Sequence, residues 1–188
     1  MACLTKIQSA ITYDCDGGNT GLLSALLINK EDIASITFDP TNPALVTAIT
    51  LKEAAAAYKI DTVKRTLVTT ESLKVNEGAP NAFTHSATIV VTEAVTAVLF
   101  RNLINPMANG SFVILTQALR SPSSSESTNV ARAFGLYYGM SVTSIERSSH
   151  ENGGWFTITM ATPERVIGED ALQSSPALYS TLYDAAIG

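Results

Sequence analysis

From Ile33 onward, apolar residues recur at every second position in short runs, and each run is stopped by a cluster of Gly, Pro, Asn, Asp or Ser. A period of two places successive side chains on opposite faces of an extended backbone, so this pattern commits most of the chain to β-strands. The run Ile33-Ala34-Ser35-Ile36-Thr37-Phe38 is stopped by Asp39-Pro40-Thr41-Asn42-Pro43, and Leu45-Val46-Thr47-Ala48-Ile49-Thr50-Leu51 follows, rich in β-branched residues. Four consecutive alanines within residues 52–57 predict a short helical turn. Residues 58–75 alternate again and predict one long strand, ending at Asn76-Glu77-Gly78-Ala79-Pro80. Its expected partner is 83–91, where Phe83, His85, Ala87, Ile89 and Val91 alternate with Thr84, Ser86, Thr88 and Val90. Together these predict a long, protruding hairpin.

The period then changes. Thr92 suits an N-cap, Glu93 an acid in the first helical turn, and Val95, Val98, Leu99 and Leu103 share one helical face until Pro106 and Asn109-Gly110. Strands are expected again at 112–119, 133–138, 140–147 and 155–161. The Ser-rich stretch 121–128 reads as an exposed loop, and Ser148-Ser149-His150-Glu151-Asn152-Gly153-Gly154 reads as a hairpin connection. The fold class expected is mainly β (α+β): a sandwich or barrel of roughly eight strands with one flanking helix. Residues 1–32 read as an arm or a late-docking first strand, 33–168 as the β-rich domain, and 169–188 as a tail with a weak helix at 177–187, whose Leu178, Leu182 and Tyr183 dock either onto the body or onto a neighbour.

Charged residues make up only 15% of the 188, against a usual ~25%. Ser, Thr, Asn and Ala take their place, which gives a surface suited to packing against other chains with few charges to desolvate. The net charge of −5 argues against gripping nucleic acid through its phosphates, which needs clustered basic residues; it is compatible with a wall past which DNA slides. No apolar run is long enough to span a membrane, and the start shows no secretory pattern, so a cytoplasmic folding environment with Cys3 and Cys15 as free thiols is expected.

Phosphate-loop, dinucleotide, nucleophile-elbow and zinc-protease motifs do not occur in the sequence. Asp14-Cys15-Asp16-Gly17-Gly18-Asn19 begins like a calcium loop, but Asn19 and Ala25 stand where such a loop needs glycine and glutamate, so it reads as a turn. His85, in mid-strand, reads as a surface or half-buried histidine, and His150 as a loop residue beside Glu151. Glu164, Glu169 and Asp170 read either as a solvated edge or as partners for basic groups of a neighbouring subunit. Cofactor, metal and catalytic residues are therefore expected to be none. Val75, Phe83, Trp155, Leu178 and Tyr183 are the candidates for contacts between copies, because they lie on the hairpin, at a strand start and on the tail.

The opening Met1-Ala2-Cys3-Leu4-Thr5 followed by Asp14-Cys15-Asp16-Gly17-Gly18 resembles the start of small virion proteins of Bacteroidota phages, including crAss-like phages. The order strand, long hairpin, helix near 93–103, then strands through Gly154-Trp155-Phe156-Thr157-Ile158-Thr159 resembles the tail-tube fold of long-tailed phages and contractile injection devices. The resemblance implies a ring-forming subunit of a tail tube or neck, a hexamer or dodecamer in contact with other tail or portal proteins. DNA would pass through its lumen without specific binding, and the protein would reside in the virion after assembly in the host cytoplasm. The alternative reading is a capsid decoration or fibre-base protein on the virion exterior, with loops 121–128 and 148–154 as its contact surface. A third is a hydrolase or lectin-like site assembled from dispersed residues.

Overall fold

The computed structural model describes residues 19–60, 67–91, 104–120, 130–147, 155–164, 166, 168–170 and 172–187. The chain is mainly β, as the alternation predicts. Its strands are β1 (Asn19–Asn29), β2 (Ile33–Phe38), β3 (Leu45–Leu51), β4 (Ala57–Ile60), β5 (Val68–Lys74), β6 (Ala82–Val91), β7 (Ser111–Arg120), β8 (Val130–Phe134), β9 (Met140–Arg147), β10 (Phe156–Ala161) and β11 (Leu172–Ser174). The helix α1 (Pro176–Ala185) follows them. Eleven strands among the described residues replace the eight or so expected, and all belong to one sheet, in the order β2-β3-β11-β8-β7-β9-β10-β6-β5, with β4 and β1 joined on through β7.

Strand β7 is the pivot. It pairs with β1 along most of its length, with β8 through Ile114–Ala118, and with β9 only at Ser111 and Phe112. Alternate residues of β1 and β7 therefore enter two different cores. Ala25, Phe112 and Ile114 pack with Ala87, Ile89, Phe156, Ile158 and Met160 of the β9-β10-β6-β5 portion, folded against that face. Leu26, Ile28, Val113 and Leu115 pack on the other face with Val46, Ile49, Leu172 and the helix residues Leu178, Tyr179 and Leu182. Each such fully buried aliphatic side chain contributes about 1.5–3 kcal/mol through removal from water.

Of the two readings for the amino-terminal part, an arm or a first strand, the strand is observed over Asn19–Asn29. Strand β1 lies between β4 and β7, with Leu26 and Ile28 wholly buried on one face and Ala25 on the other, as befits a central strand. The tail is also part of the body. Ser175 caps α1 by accepting a hydrogen bond from Leu178 N–H at 3.1 Å, and Pro176 takes the first turn. Beyond the helix, Ile187 exchanges backbone bonds with β4: Lys59 N–H donates to Ile187 O at 2.8 Å, and Ile187 N–H to Ala57 O at 3.0 Å.

The long strand expected over 58–75 is two strands in different parts of the sheet, β4 beside β1 and β5 beside β6, so the hairpin is shorter than expected. Its β6 limb is held along its length, by β10 from Ser86 to Val91 and by Thr162 and Glu169 near His85 and Phe83. Residues 52–56 form a turn, with Ala54 in the left-handed region at φ 62°, in place of the helical turn. Of the helix expected at 93–103, those residues lie outside the described ones; 104–107 are helical and end at Asn109-Gly110 as expected. The loops 121–128 and 148–154, with His150, and the Asp14–Gly18 cluster and both cysteines, also lie outside them.

Candidate functional site

Two features stand out on this framework: a buried polar cluster centred on His85, and a pair of open strand edges.

His85 belongs to β6 and shares its face with Ala87 and Ile89, so it points between the two packed portions of the sheet and is only 1% exposed. The expectation of a surface or half-buried histidine is corrected, for the reason that its parity in the strand is that of the core. Gly135 N–H donates to His85 Nδ1 at 3.0 Å. A backbone amide can only donate, so Nδ1 is unprotonated and the proton of the neutral ring sits on Nε2. Nε2 is buried and makes no hydrogen bond; Glu71 Oε1, directly across the strand pair, is 3.4 Å away in poor geometry. The ring edge meets Phe134 at a centroid distance of 5.4 Å. Burial pushes the imidazole below its ordinary value, while the nearby carboxylates of Glu169 and Glu71 act in the opposite direction.

Glu169 is the second buried member, 2% exposed. The readings of a solvated edge or a partner for a neighbouring subunit are corrected by its position inside the chain's own fold. Its backbone bridges to Phe83, and its carboxylate accepts from Tyr137 N–H at 3.2 Å and Tyr138 N–H at 2.9 Å. One of its oxygens, Oε2, lies 3.7 Å from His85 Nδ1. The two amides belong to a tight turn at 135–139, closed by Gly139 N–H to Gly135 O at 2.9 Å. Both glycines are required: Gly135 and Gly139 have φ of +72° and +76°, and a Cβ on Gly139 would lie 1.9 Å from Ser111 Oγ. For that reason the strand expected to run to Tyr138 stops at Phe134. Tyr137 stacks on Phe38 at the end of β2, with ring centroids 6.1 Å apart. Its phenol is pushed above the ordinary value by burial and by Asp170 and Glu169.

Thr162 completes the cluster, exchanging bonds with the His85 backbone at 2.9–3.3 Å. Arg132 Nη1 approaches Glu71 Oε2 at 4.0 Å, with its side chain 47% exposed. The arrangement ties β6, β5, the β8–β9 turn and the segment before β11 together. The imidazole is closed to any solute, so its chemistry in this state is that of a hydrogen-bond acceptor. Among the described residues no group of three or more His, Cys, Asp and Glu is placed to hold a metal ion, and no helix is long and apolar enough to cross a membrane.

The second feature concerns the ends of the strand order. Among the described residues β2 and β5 close the strand order and each pairs with one strand, as β4 does with β1. Open edges are ordinarily blunted by charges or proline. β2 has neither among its six residues, and its pairing with β3 is irregular between Ile33 and Ser35 and between Thr37 and Phe38. β5 has two charges, but Glu71 turns toward His85, and Lys74 Nζ donates to Val166 O at 2.7 Å. Val68 and Leu73 on β5 and Val75 just beyond it are 58%, 60% and 73% exposed. Leu73 lies opposite Phe83, which is half-buried, so these two form one apolar surface on the hairpin.

The expected contact residues thus fall in three places. Val75 and Phe83 are together on the hairpin, next to Leu73, which the sequence reading passed over. Trp155 is half-buried immediately before β10. Leu178 is corrected: it is 8% exposed, spent on the chain's own core, because the tail docks against β3, β4, β7 and β8. Tyr183 is half-buried, stacked on Tyr179 at 5.8 Å and covered by Lys59 Nζ at 4.7 Å.

No protein-family description, curated protein or solved structure matches the chain.

Proposed function

We propose that this chain is a structural subunit of a phage virion that assembles with copies of itself into a ring, in the tail tube or in the neck at the head–tail junction, and that the ring is a conduit for DNA. The observation that carries the reading is the pair of sheet ends, β2 and β5, together with the exposed apolar residues beside β5. Among the described residues the strand order of the sheet closes on β2, which carries no charge or proline, and on β5, beside which Val68, Leu73 and Val75 are exposed. Two different edges on one subunit permit head-to-tail contacts, which close into rings when the rotation between subunits divides a full turn. A hexamer suits a tube and a dodecamer a collar. Low charge and the net charge of −5 support a lumen past which DNA moves without being held. The resemblance of the amino-terminal motif to virion proteins supports the setting, in contact with other tail or portal proteins.

The test is the mass of the purified protein by light scattering over a concentration series, with negative-stain images of the same samples. Rings or tubes of defined symmetry are expected. A chain that remains monomeric at every concentration contradicts the reading.

A further inference from the structure

We propose that His85 is a proton-operated latch on the tyrosine turn at 135–139: uptake of a proton at Nδ1 expels the Gly135 amide and releases the turn from the sheet. The argument rests on which atoms face each other. Nδ1 is held by the Gly135 N–H at 3.0 Å, a contact that requires a free lone pair on the nitrogen. A proton arriving there from solvent makes Nδ1 a donor, so two N–H groups face one another and the bond is lost. The new N–H has an acceptor nearby, Glu169 Oε2 at 3.7 Å, and a small movement of the ring converts that approach into a charged hydrogen bond. Glu169 already holds the amides of Tyr137 and Tyr138, so a ring that moves toward Oε2 pulls on the acceptor of the Tyr137 amide.

Every neighbour of the ring bears on the direction of this change. Glu71 on β5 faces Nε2 at 3.4 Å, and Glu169 faces Nδ1; both carboxylates favour an imidazolium. Arg132 on β8 lies beyond Glu71 and partly offsets it. Phe134, also on β8, presents only its ring, and Thr162 bonds the His85 backbone and not the imidazole. Asp170 and the Tyr137 phenol stand beyond Glu169. Two acids therefore receive the added charge, while the Gly135 amide and the lack of solvent resist it. Such a balance makes a switch, stable in the neutral form and able to accept a proton in a second arrangement. Its mechanical output is the turn, and through the stacking of Tyr137 on Phe38 it reaches the end of the open strand β2. The inference is independent of the proposed assembly.

The experiment is amide exchange by NMR on the full chain between pH 7.5 and 4.5, corrected for intrinsic rates, with the His85 ring followed through its own carbon shift. Exchange at Gly135, Tyr137 and Tyr138 is expected to rise about tenfold as the ring becomes protonated, the scale of losing one hydrogen bond. In His85→Gln, whose carbonyl accepts from Gly135 but takes no proton in this range, the response is expected to vanish. Protection that persists while the ring titrates overturns the proposal, as does the same response in His85→Gln. A ring that stays neutral until the whole chain unfolds overturns it too. Should the variant fail to fold, coincidence of the exchange midpoint with the ring's midpoint in the unaltered chain decides.

Discussion

Phe83 and Glu169 pair backbone to backbone in both directions, with Phe83 N–H donating to Glu169 O at 2.8 Å and Glu169 N–H to Phe83 O at 2.7 Å. This bridge places a carboxylate under the β8–β9 turn and beside His85, although the residues it joins are far apart in the chain. The fold's buried polar centre depends on it.

Replacing Glu169 with Gln keeps the shape but turns one oxygen into an amide that faces a Tyr137 or Tyr138 N–H. Donor against donor in a buried site costs about 1–3 kcal/mol. Urea unfolding of Glu169→Gln measures it, and Glu169→Ala, which strands both amides and opens a cavity, is expected to cost more.

Stability should fall on acidification through His85. Its value in the folded chain is below the ~6.5 of a free imidazole, so the unfolded chain takes up the proton first. The contribution is complete above pH ~6.5 and is lost as the pH drops from there through the folded value, at no more than about 1.4 kcal/mol per pH unit for one proton. Unfolding curves at several pH values test this, and His85→Gln is expected to lack that component of the slope.

Gly135→Ala should destabilise the chain by about 2 kcal/mol or more, since it combines a left-handed backbone with a Cβ placed 3.0 Å from the backbone oxygen of Phe112 and 2.8 Å from Met140 Cγ. Gly78→Ala has the same sign of φ, +78°, but open space around it, so the difference between the two thermal unfolding midpoints isolates the clash.

Val75→Glu and Leu73→Lys should leave the unfolding free energy within about 0.5 kcal/mol of the unaltered chain, because both side chains are exposed. In a sedimentation experiment the same variants are expected to shift the chain toward smaller species.

The alternation in sequence was enough to locate β2, β3 and β9 at their observed ends, because each run is half-buried and closed by turn residues. β8 ends at Phe134, short of the expected Tyr138, because Gly135 and Gly139 frame a turn, and a glycine pair at that spacing is itself a turn signal. The burial of His85 was legible in principle, since it shares parity with Ala87, Ile89 and Val91; its neighbours carried more information than its own type. Glu169 was not legible. Its partners are the amides of residues 31 and 32 positions earlier, and a backbone donor leaves no mark on the sequence. The separation of β4 from β5 was hidden for a related reason: alternation gives a strand's faces but not its neighbour, and β4 found β1.

The most direct test of assembly through open edges uses two doubly substituted chains. Ser35→Lys with Thr37→Lys charges the β2 edge, and Thr70→Lys with Ser72→Lys charges the β5 edge; all four positions are exposed. Each chain, shown to be folded by circular dichroism, should be monomeric alone by light scattering. Mixed in equal amounts they should form a one-to-one dimer, because each retains the edge that the other lacks. A mixture that stays monomeric while the unaltered chain assembles, or either variant assembling alone, would contradict head-to-tail pairing of β2 with β5.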